Sequence, residues 1–203
     1  MNEELFIKAD FNDFVNIFLE ENSKHNLISH NDESLLFEKH IYDSLCIKYF
    51  FDKYKINFKN ILDIGCGGGF PCVPISIEYP DMQITGIDSI RKKISSVQCI
   101  KEKLDLKNLN LICDRVENLS IDIKYDLVIS RAVAELAKIS DYALPRVKKN
   151  GFFVAYKSIR AGEEILNSKN MLKKHGAKIV DIIEYKLPTK ECHLRKLVCI
   201  KKI

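Results

Sequence analysis

The stretch Ile61-Leu62-Asp63-Ile64-Gly65-Cys66-Gly67-Gly68-Gly69-Phe70-Pro71 is where the chain changes character. Ile61 to Ile64 reads as a short buried strand that stops at glycines. Glycine lets the backbone turn tightly and approach a ligand, and Pro71, a favoured first-turn residue, predicts a helix starting beside it. Downstream the pattern alternates. Strands are expected over Gln83–Ile87, Asn110–Cys113, Asp126–Ser130 and Gly151–Lys157, with helices over Arg91–Leu104, Val133–Leu144 and Gly162–Lys174. Strands spaced by helices predict βαβ units and a parallel sheet covered on both faces. Two last strands, Lys178–Tyr185 and His193–Ile200, are joined only by a short loop containing Pro188 and should pair as an antiparallel hairpin at the sheet edge. Upstream, Leu5, Phe6, Phe11, Phe14, Val15, Phe18 and Leu19 recur at helical spacing. A polar turn over Asn22–Asn26 and a second helix from Glu33 to Tyr49 follow. The predicted architecture is α/β: a mostly parallel, seven-stranded, Rossmann-like sheet with a C-terminal hairpin, residues 58–203, behind an N-terminal helical extension, residues 1–57.

Two cofactor types exploit a strand–glycine–helix turn. A dinucleotide fingerprint, GxGxxG, aims the helix N-terminus at a pyrophosphate. Here its third glycine falls at Phe70, a bulky ring where helix and strand must pack closely. An acid opening the motif, with Gly65, Gly67 and Gly69 behind it, suits S-adenosylmethionine, which carries no phosphate. Asp63, or a water it orients, could hold the methionine ammonium. Asp88 ends the second strand, where a carboxylate accepts from both ribose hydroxyls; it also reads as an N-cap for the following helix. After the third strand, Asp114-Arg115-Val116-Glu117 falls where an adenine should rest, with Val116 against the ring. Asp114 and Glu117 also read as acids at an ordinary helix start.

Composition narrows the setting. The 203 residues fit one domain with an appendage, and 46% hydrophobic with 30% charged residues argues against global disorder. No apolar run approaches a membrane span, the acidic start Met1-Asn2-Glu3-Glu4 is unlike a secretory signal, and the seven cysteines form no CxxC pair. These features predict a reduced, cytoplasmic protein without a metal site or disulfide framework. The net charge of +4 hides a basic end: residues 146–203 hold 15 Lys and Arg against 5 Asp and Glu. Such an excess suits an anionic partner or a solvated lysine face. Only six arginines stand among 26 lysines, so each arginine is a candidate for work needing its planar fork.

At these motifs the sequence resembles the ribosomal RNA small subunit methyltransferase G family, also called glucose-inhibited division protein B. The resemblance is carried by Asn22–Ser29 (NSKHNLIS), Lys39–Leu45 (KHIYDSL), Leu62–Pro74 (LDIGCGGGFPCVP), Asp88–Lys93 (DSIRKK), Arg115–Glu117 (RVE), Ser130–Leu136 (SRAVAEL) and Arg195–Lys201 (RKLVCIK). It implies a class I methyltransferase that moves a methyl from S-adenosylmethionine to N7 of one guanine in the 530 loop of 16S rRNA, acting on the RNA or the small ribosomal subunit. By the same resemblance Gly65, Phe70, Val116, Glu117 and Arg131 fall on cofactor-contacting positions, and Arg115, Arg131 and Arg195 on functional arginines. The chain departs from the family pattern in lacking tryptophan and in carrying Cys66 within the loop.

The acceptor chemistry can also be read from residue types. Exocyclic amine methylation calls for an Asn-Pro-Pro-Tyr type motif after the fourth strand, where this chain has Ser130-Arg131-Ala132. Pyrimidine carbon methylation needs a cysteine nucleophile, and none stands in that region. Guanine N7 has a free lone pair and no proton, so alignment suffices and no general acid or base is expected. Arg131 would position donor and acceptor, its fork on the cofactor carboxylate or a guanine edge. Arg115 and Arg195 could clamp RNA phosphates or stack on unpaired bases. Arg91, Lys92 and Lys93 read as a solvated helix start, and the five histidines as surface or packing residues. A monomer is expected. The competing readings are a nicotinamide-dependent oxidoreductase and a non-catalytic RNA-binding module.

Overall fold

The computed structural model describes residues 5–191 and 193–203; the acidic Met1–Glu4 start and Cys192 lie outside the described residues. One seven-stranded sheet runs in the order β3-β2-β1-β4-β5-β7-β6. Its first five strands, β1 (Asn60–Ile64), β2 (Gln83–Asp88), β3 (Leu109–Cys113), β4 (Tyr125–Arg131) and β5 (Val147–Ser158), pair in parallel. The expected hairpin is present: β6 (Ala177–Lys186) and β7 (Leu194–Lys202) are antiparallel, and β7 fits between β5 and the edge strand β6. Strand order reverses between β1 and β4, and the crevice beyond their C-terminal ends is where ligands bind in such sheets.

Alternation along each strand builds two cores. Ile61, Leu127, Ile129, Phe152 and Val154 face one layer, while Leu62, Ile64, Val128, Phe153 and Ala155 face the other. Burial on both faces is why these strands read as nearly continuous apolar runs. The first layer holds α1 (Asn12–His25), α4 (Ile47–Tyr54), α5 (Cys72–Glu78) and α6 (Arg91–Lys103); the second holds α7 (Leu136–Ala143), α8 (Gly162–Asn167) and α9 (Lys169–Lys174). Among the described residues no helix is long and apolar enough to cross a membrane.

Five expectations need correction. The helix α1 begins later than its apolar stripe, so Leu5 is buried ahead of it and Phe6 is 70% exposed. It then continues through the supposed turn to His25, where Asn26 stops it in the left-handed region (φ 49°). Asn22 is wholly buried, its amide donating to Glu33 Oε1 at 2.7 Å and its Oδ1 accepting the Ile28 N–H at 2.8 Å. A polar residue satisfied internally looks like a solvated turn when only its type is read.

The second helix is broken into α2 (His30–Glu33), a π-helical turn at Phe37–Tyr42, α3 (Asp43–Leu45) and α4. Wide turns of this kind are enriched at functional sites, and here the Lys39 carbonyl accepts from the Arg131 guanidinium at 3.3 Å. The helix expected from Val133 starts only at Leu136, because Ala132 turns left-handed (φ 56°) and sends Val133 over the glycine loop. The helix over 162–174 is interrupted at Ser168, a buried residue whose hydroxyl bonds back to the Ile165 carbonyl at 2.8 Å.

Candidate functional site

Register gathers the functional strand ends at one edge of the sheet. Ile64 stands opposite Ile87 and Ser130, Asp88 opposite Cys113, and Arg131 opposite Tyr156. Because β7 runs the other way, Arg195 near its start stands opposite Ser158 and Tyr185, at the same edge. Two adjoining cavities of about 750 and 480 Å³ open there, sharing Gly65, Gly67, Lys93 and the segment Ala132–Ala134.

The glycine loop has positive φ at Gly65 (72°), Gly67 (53°) and Gly69 (95°), where other residues are strained. Its amides turn inward. Gly65 and Cys66 donate to the Ile87 carbonyl at 2.8 and 3.1 Å, Gly67 to Asp88 Oδ2 at 3.0 Å, and Gly69 and Phe70 to the Cys66 carbonyl at 2.8 and 3.0 Å. Beneath the loop, wholly buried Asp63 accepts the Cys72 N–H at the start of α5 through Oδ2 at 3.0 Å. The position that would hold a pyrophosphate is therefore occupied by a carboxylate of the protein itself. Asp63 borders neither cavity and lies directly beneath the loop.

Burial lifts the Asp63 carboxyl to about 7, against the lowering effects of the Cys72 amide and Arg131, and leaves Oδ1 without a partner. A raised folded-state value gives stability that is full below the ordinary carboxylate range and lost as pH rises toward about 7. Asp63→Asn keeps an acceptor for Cys72 without the ionisation. Wild-type protein should lose about 2 kcal/mol between pH 5 and 8 from this group. Denaturant melts should show that slope flattened in the variant; an identical slope would mean that Asp63 is not the titrating group.

The smaller cavity is lined by Ile64, Ile87 and Val116, with Asp88, Arg115 and Glu117 at its polar side. Asp88 is not the N-cap of α6, a place taken by Ile90; its Oδ1 accepts the Ile90 N–H at 2.8 Å, its Oδ2 the Gly67 N–H at 3.0 Å, and the carboxylate borders the cavity. Asp114 takes the plainer of its readings, since Oδ1 accepts the Arg115 N–H and the Asn118 amide, both at 2.7 Å, at the start of a short turn. Buried Arg146 supports this turn from behind, donating to the Ser120 carbonyl at 2.8 Å and the Val116 carbonyl at 3.0 Å.

In the larger cavity Arg131 is the hub. Nη1 donates to Asp43 Oδ2 at 3.0 Å, Nη2 faces His40 Nδ1 at 3.2 Å, and its guanidinium carbon lies 5.2 Å from the Phe70 ring centroid. Tyr185 donates to Asp43 Oδ1 at 2.6 Å, and Tyr156 to the Ser44 carbonyl at 2.7 Å. A guanidinium only donates, so His40 Nδ1 must accept and its proton sits on Nε2. Burial, reinforced by Arg131, pushes the His40 imidazole down to about 4 and keeps it neutral. Phe70 is sandwiched among Phe14, Phe18 and His40, and Leu27 lies 3.0 Å from where a Cβ on Gly68 would sit. The N-terminal helices are thus a wall of this cavity.

Of the residues singled out in the sequence, Gly65, Gly67, Phe70, Asp88, Val116, Glu117, Arg115, Arg131 and Arg195 all border one cavity or the other. The three arginines assigned by the resemblance do not converge: Arg131 and Arg195 share the larger cavity, and Arg115 is exposed at the smaller one. His40, Asp43, Tyr156, Tyr185 and Lys93 also border the site. His40, Asp43 and Lys93 lie within the quoted motifs, but nothing in residue type foretold their geometry. Lys93 in particular faces both cavities, where a solvated helix start was expected. Among the described residues no cluster of His, Cys, Asp or Glu is suited to a metal ion.

Comparison with known proteins agrees with this geometry. Residues 7–193 match the family model GidB, described as rRNA small subunit methyltransferase G. The chain is similar to the ribosomal RNA small subunit methyltransferase G of Thermoanaerobacter pseudethanolicus, 39% identical over 98% of this chain and 84% of the relative, and to that of Bacillus subtilis (strain 168), 36% identical over 94% and 80%. Among solved structures it is similar to an S-adenosylmethionine-dependent methyltransferase from Clostridium acetobutylicum (TM-score 0.63, 16% identity, 85% of this chain and 98% of that one). It is also similar to M. jannaschii TYW2 in complex with AdoMet (TM-score 0.59, 17% identity, 72% and 70%). Fold, site edge and family match coincide: the chain belongs to the rRNA small subunit methyltransferase G family.

Proposed function

We propose that this chain transfers a methyl group from S-adenosylmethionine to N7 of a guanine in small-subunit rRNA. The observation that carries the donor is the inward-turned glycine loop over Asp63, which leaves no backbone nest for a pyrophosphate but leaves Asp88 and an apolar cavity for a nucleoside. The residues present fit S-adenosylmethionine on these grounds: ribose on Asp88, adenine against Val116, the amino-acid end beside Gly65 and Gly67. They do not fit a dinucleotide, which also disfavours the oxidoreductase reading. When bound, the sulfonium supplies an electrophilic methyl carbon.

The larger cavity suits an acceptor that needs alignment alone. Apart from exposed Glu135 at its rim, the carboxylates that line it are engaged, Asp43 with Arg131 and Tyr185, Asp32 with Lys39, and Glu164 with Lys157. His40 is neutral with Nδ1 occupied, and Cys66 and Cys72 turn their sulfurs onto β2, each 3.1 Å from a Cβ built on Gly86. A ring nitrogen with a free lone pair needs no base from such a wall. Arg131, locked by Asp43, orients; Phe70, Tyr156 and Tyr185 exclude water; Arg195 takes RNA phosphate or a splayed base. Arg115 is assigned to RNA at the outer rim.

Incubation with methyl-labelled S-adenosylmethionine and small-subunit rRNA or 30S subunits, followed by nucleoside analysis, should yield labelled N7-methylguanosine. Label only on exocyclic amines or carbons would refute the acceptor assignment. Arg195→Ala should weaken RNA binding about tenfold and lower its salt slope by about one, sparing S-adenosylhomocysteine affinity. Equal loss of both affinities would mark Arg195 as structural.

A further inference from the structure

Resting on the S-adenosylmethionine reading, we infer that Lys93 is the cation that holds the cofactor's carboxylate, the task first considered for Arg131. An amino-acid carboxylate brought to this edge needs donors. The amides of Gly65, Cys66, Gly67, Gly69 and Phe70 are all consumed within the loop and its neighbours, which leaves Gly68 as the one glycine-loop amide for a ligand and too few for a carboxylate's full set. Side chains must contribute.

Most cations around the larger cavity are already engaged. Arg131 is held by Asp43 and the Lys39 carbonyl, Lys39 by Asp32 at 2.7 Å, and Lys157 by Glu164 and the Ala134 carbonyl. Moving Arg131 to a ligand would strand the Asp43 carboxylate, whose side chain is 6% exposed. The side chains of Lys93 and Arg195 have no hydrogen-bond or ion-pair partner among the described residues. Arg195 borders only the larger cavity, whereas Lys93 borders both. Its Nζ lies 3.9 Å from a Cβ built on Gly67, the residue tied to Asp88. A ligand whose ribose rests on Asp88 and whose other end reaches the larger cavity must pass this ammonium. The half-buried Lys93 stem starts in the first turn of α6, so its reach is short and its position fixed by the helix.

The test compares two ligands that share the adenosine half. S-adenosylhomocysteine carries the amino-acid carboxylate, and 5′-methylthioadenosine does not. By titration calorimetry, Lys93→Met should bind S-adenosylhomocysteine about tenfold more weakly and methylthioadenosine unchanged, with Lys93→Arg retaining most of the affinity. Equal weakening for both ligands in Lys93→Met would overturn the assignment, as would unchanged S-adenosylhomocysteine affinity. Unchanged S-adenosylhomocysteine affinity with weaker RNA binding would assign the ammonium to RNA phosphate instead. Failure of the wild-type protein to bind either ligand would remove the underlying cofactor reading and is distinguishable from all of these. Far-ultraviolet circular dichroism of each variant separates a lost contact from a lost fold.

Discussion

Gly65→Ala should weaken S-adenosylhomocysteine binding about a hundredfold while the protein remains folded. The reason is local. At φ 72° an alanine carries about 1 kcal/mol of backbone strain, and its Cβ would come within 2.4 Å of Val133 Cγ2. The loop cannot yield easily, because the Gly65 and Cys66 amides are both bound to the Ile87 carbonyl. Val133 must therefore move, and it stands on the strip shared by the two cavities, where any ligand spanning them has to pass. The added methyl and the displaced valine fill that passage. Calorimetry gives the affinity, and thermal melts should show a loss of about 2 kcal/mol in stability without loss of cooperativity. Undiminished affinity would place the ligand away from Gly65.

Removing the fork of Arg131 should cost both stability and turnover. In Arg131→Met the Asp43 carboxylate keeps Tyr185 but loses its counter-charge in a site where its own side chain is 6% exposed. Breaking a buried pair on one side costs about 3 kcal/mol. His40 loses the donor facing Nδ1, and the contact over Phe70 disappears, so the N-terminal wall loosens. Methyl transfer should fall below detection. The double variant Arg131→Met/Asp43→Asn removes both charges and should regain most of the stability but none of the turnover. A single variant as stable and active as the parent would mean that the pair neither supports the wall nor aligns the reaction.

The parts of this site that could be read in advance are those set by local rules. A strand running into Gly65-Cys66-Gly67-Gly68-Gly69, an acid at the end of the next strand, and an arginine at the end of the fourth are short-range patterns, and all lie at the ligand edge. Asp63 was legible as part of the motif but not in its role, because burial depth is a tertiary property. It turns inward to cap α5. Asp43 and His40 belong to a segment with helical periodicity, and only the wide turn at Phe37–Tyr42, bound to Arg131 from 88 and 91 residues away, explains why they face the cavity. Val133 fits a helical stripe equally well, and its true position depends on a left-handed Ala132 that residue type disfavours. Arg195 was singled out for its scarcity, yet its place in the same cavity as Arg131 follows from β7 running against the rest of the sheet.

One consequence of the carboxylate beneath the loop concerns discrimination among metabolites. Phosphorylated nucleotides share adenosine with S-adenosylmethionine and, in the proposed cofactor pose, would compete for Asp88 and Val116. With Asp63 already holding the Cys72 amide and the Gly65, Cys66, Gly67, Gly69 and Phe70 amides engaged within and beside the loop, the phosphates of ATP or NAD find no run of free backbone donors at the start of α5. On the proposed cofactor pose, discrimination would come from donors already spoken for within the fold rather than from a moving part.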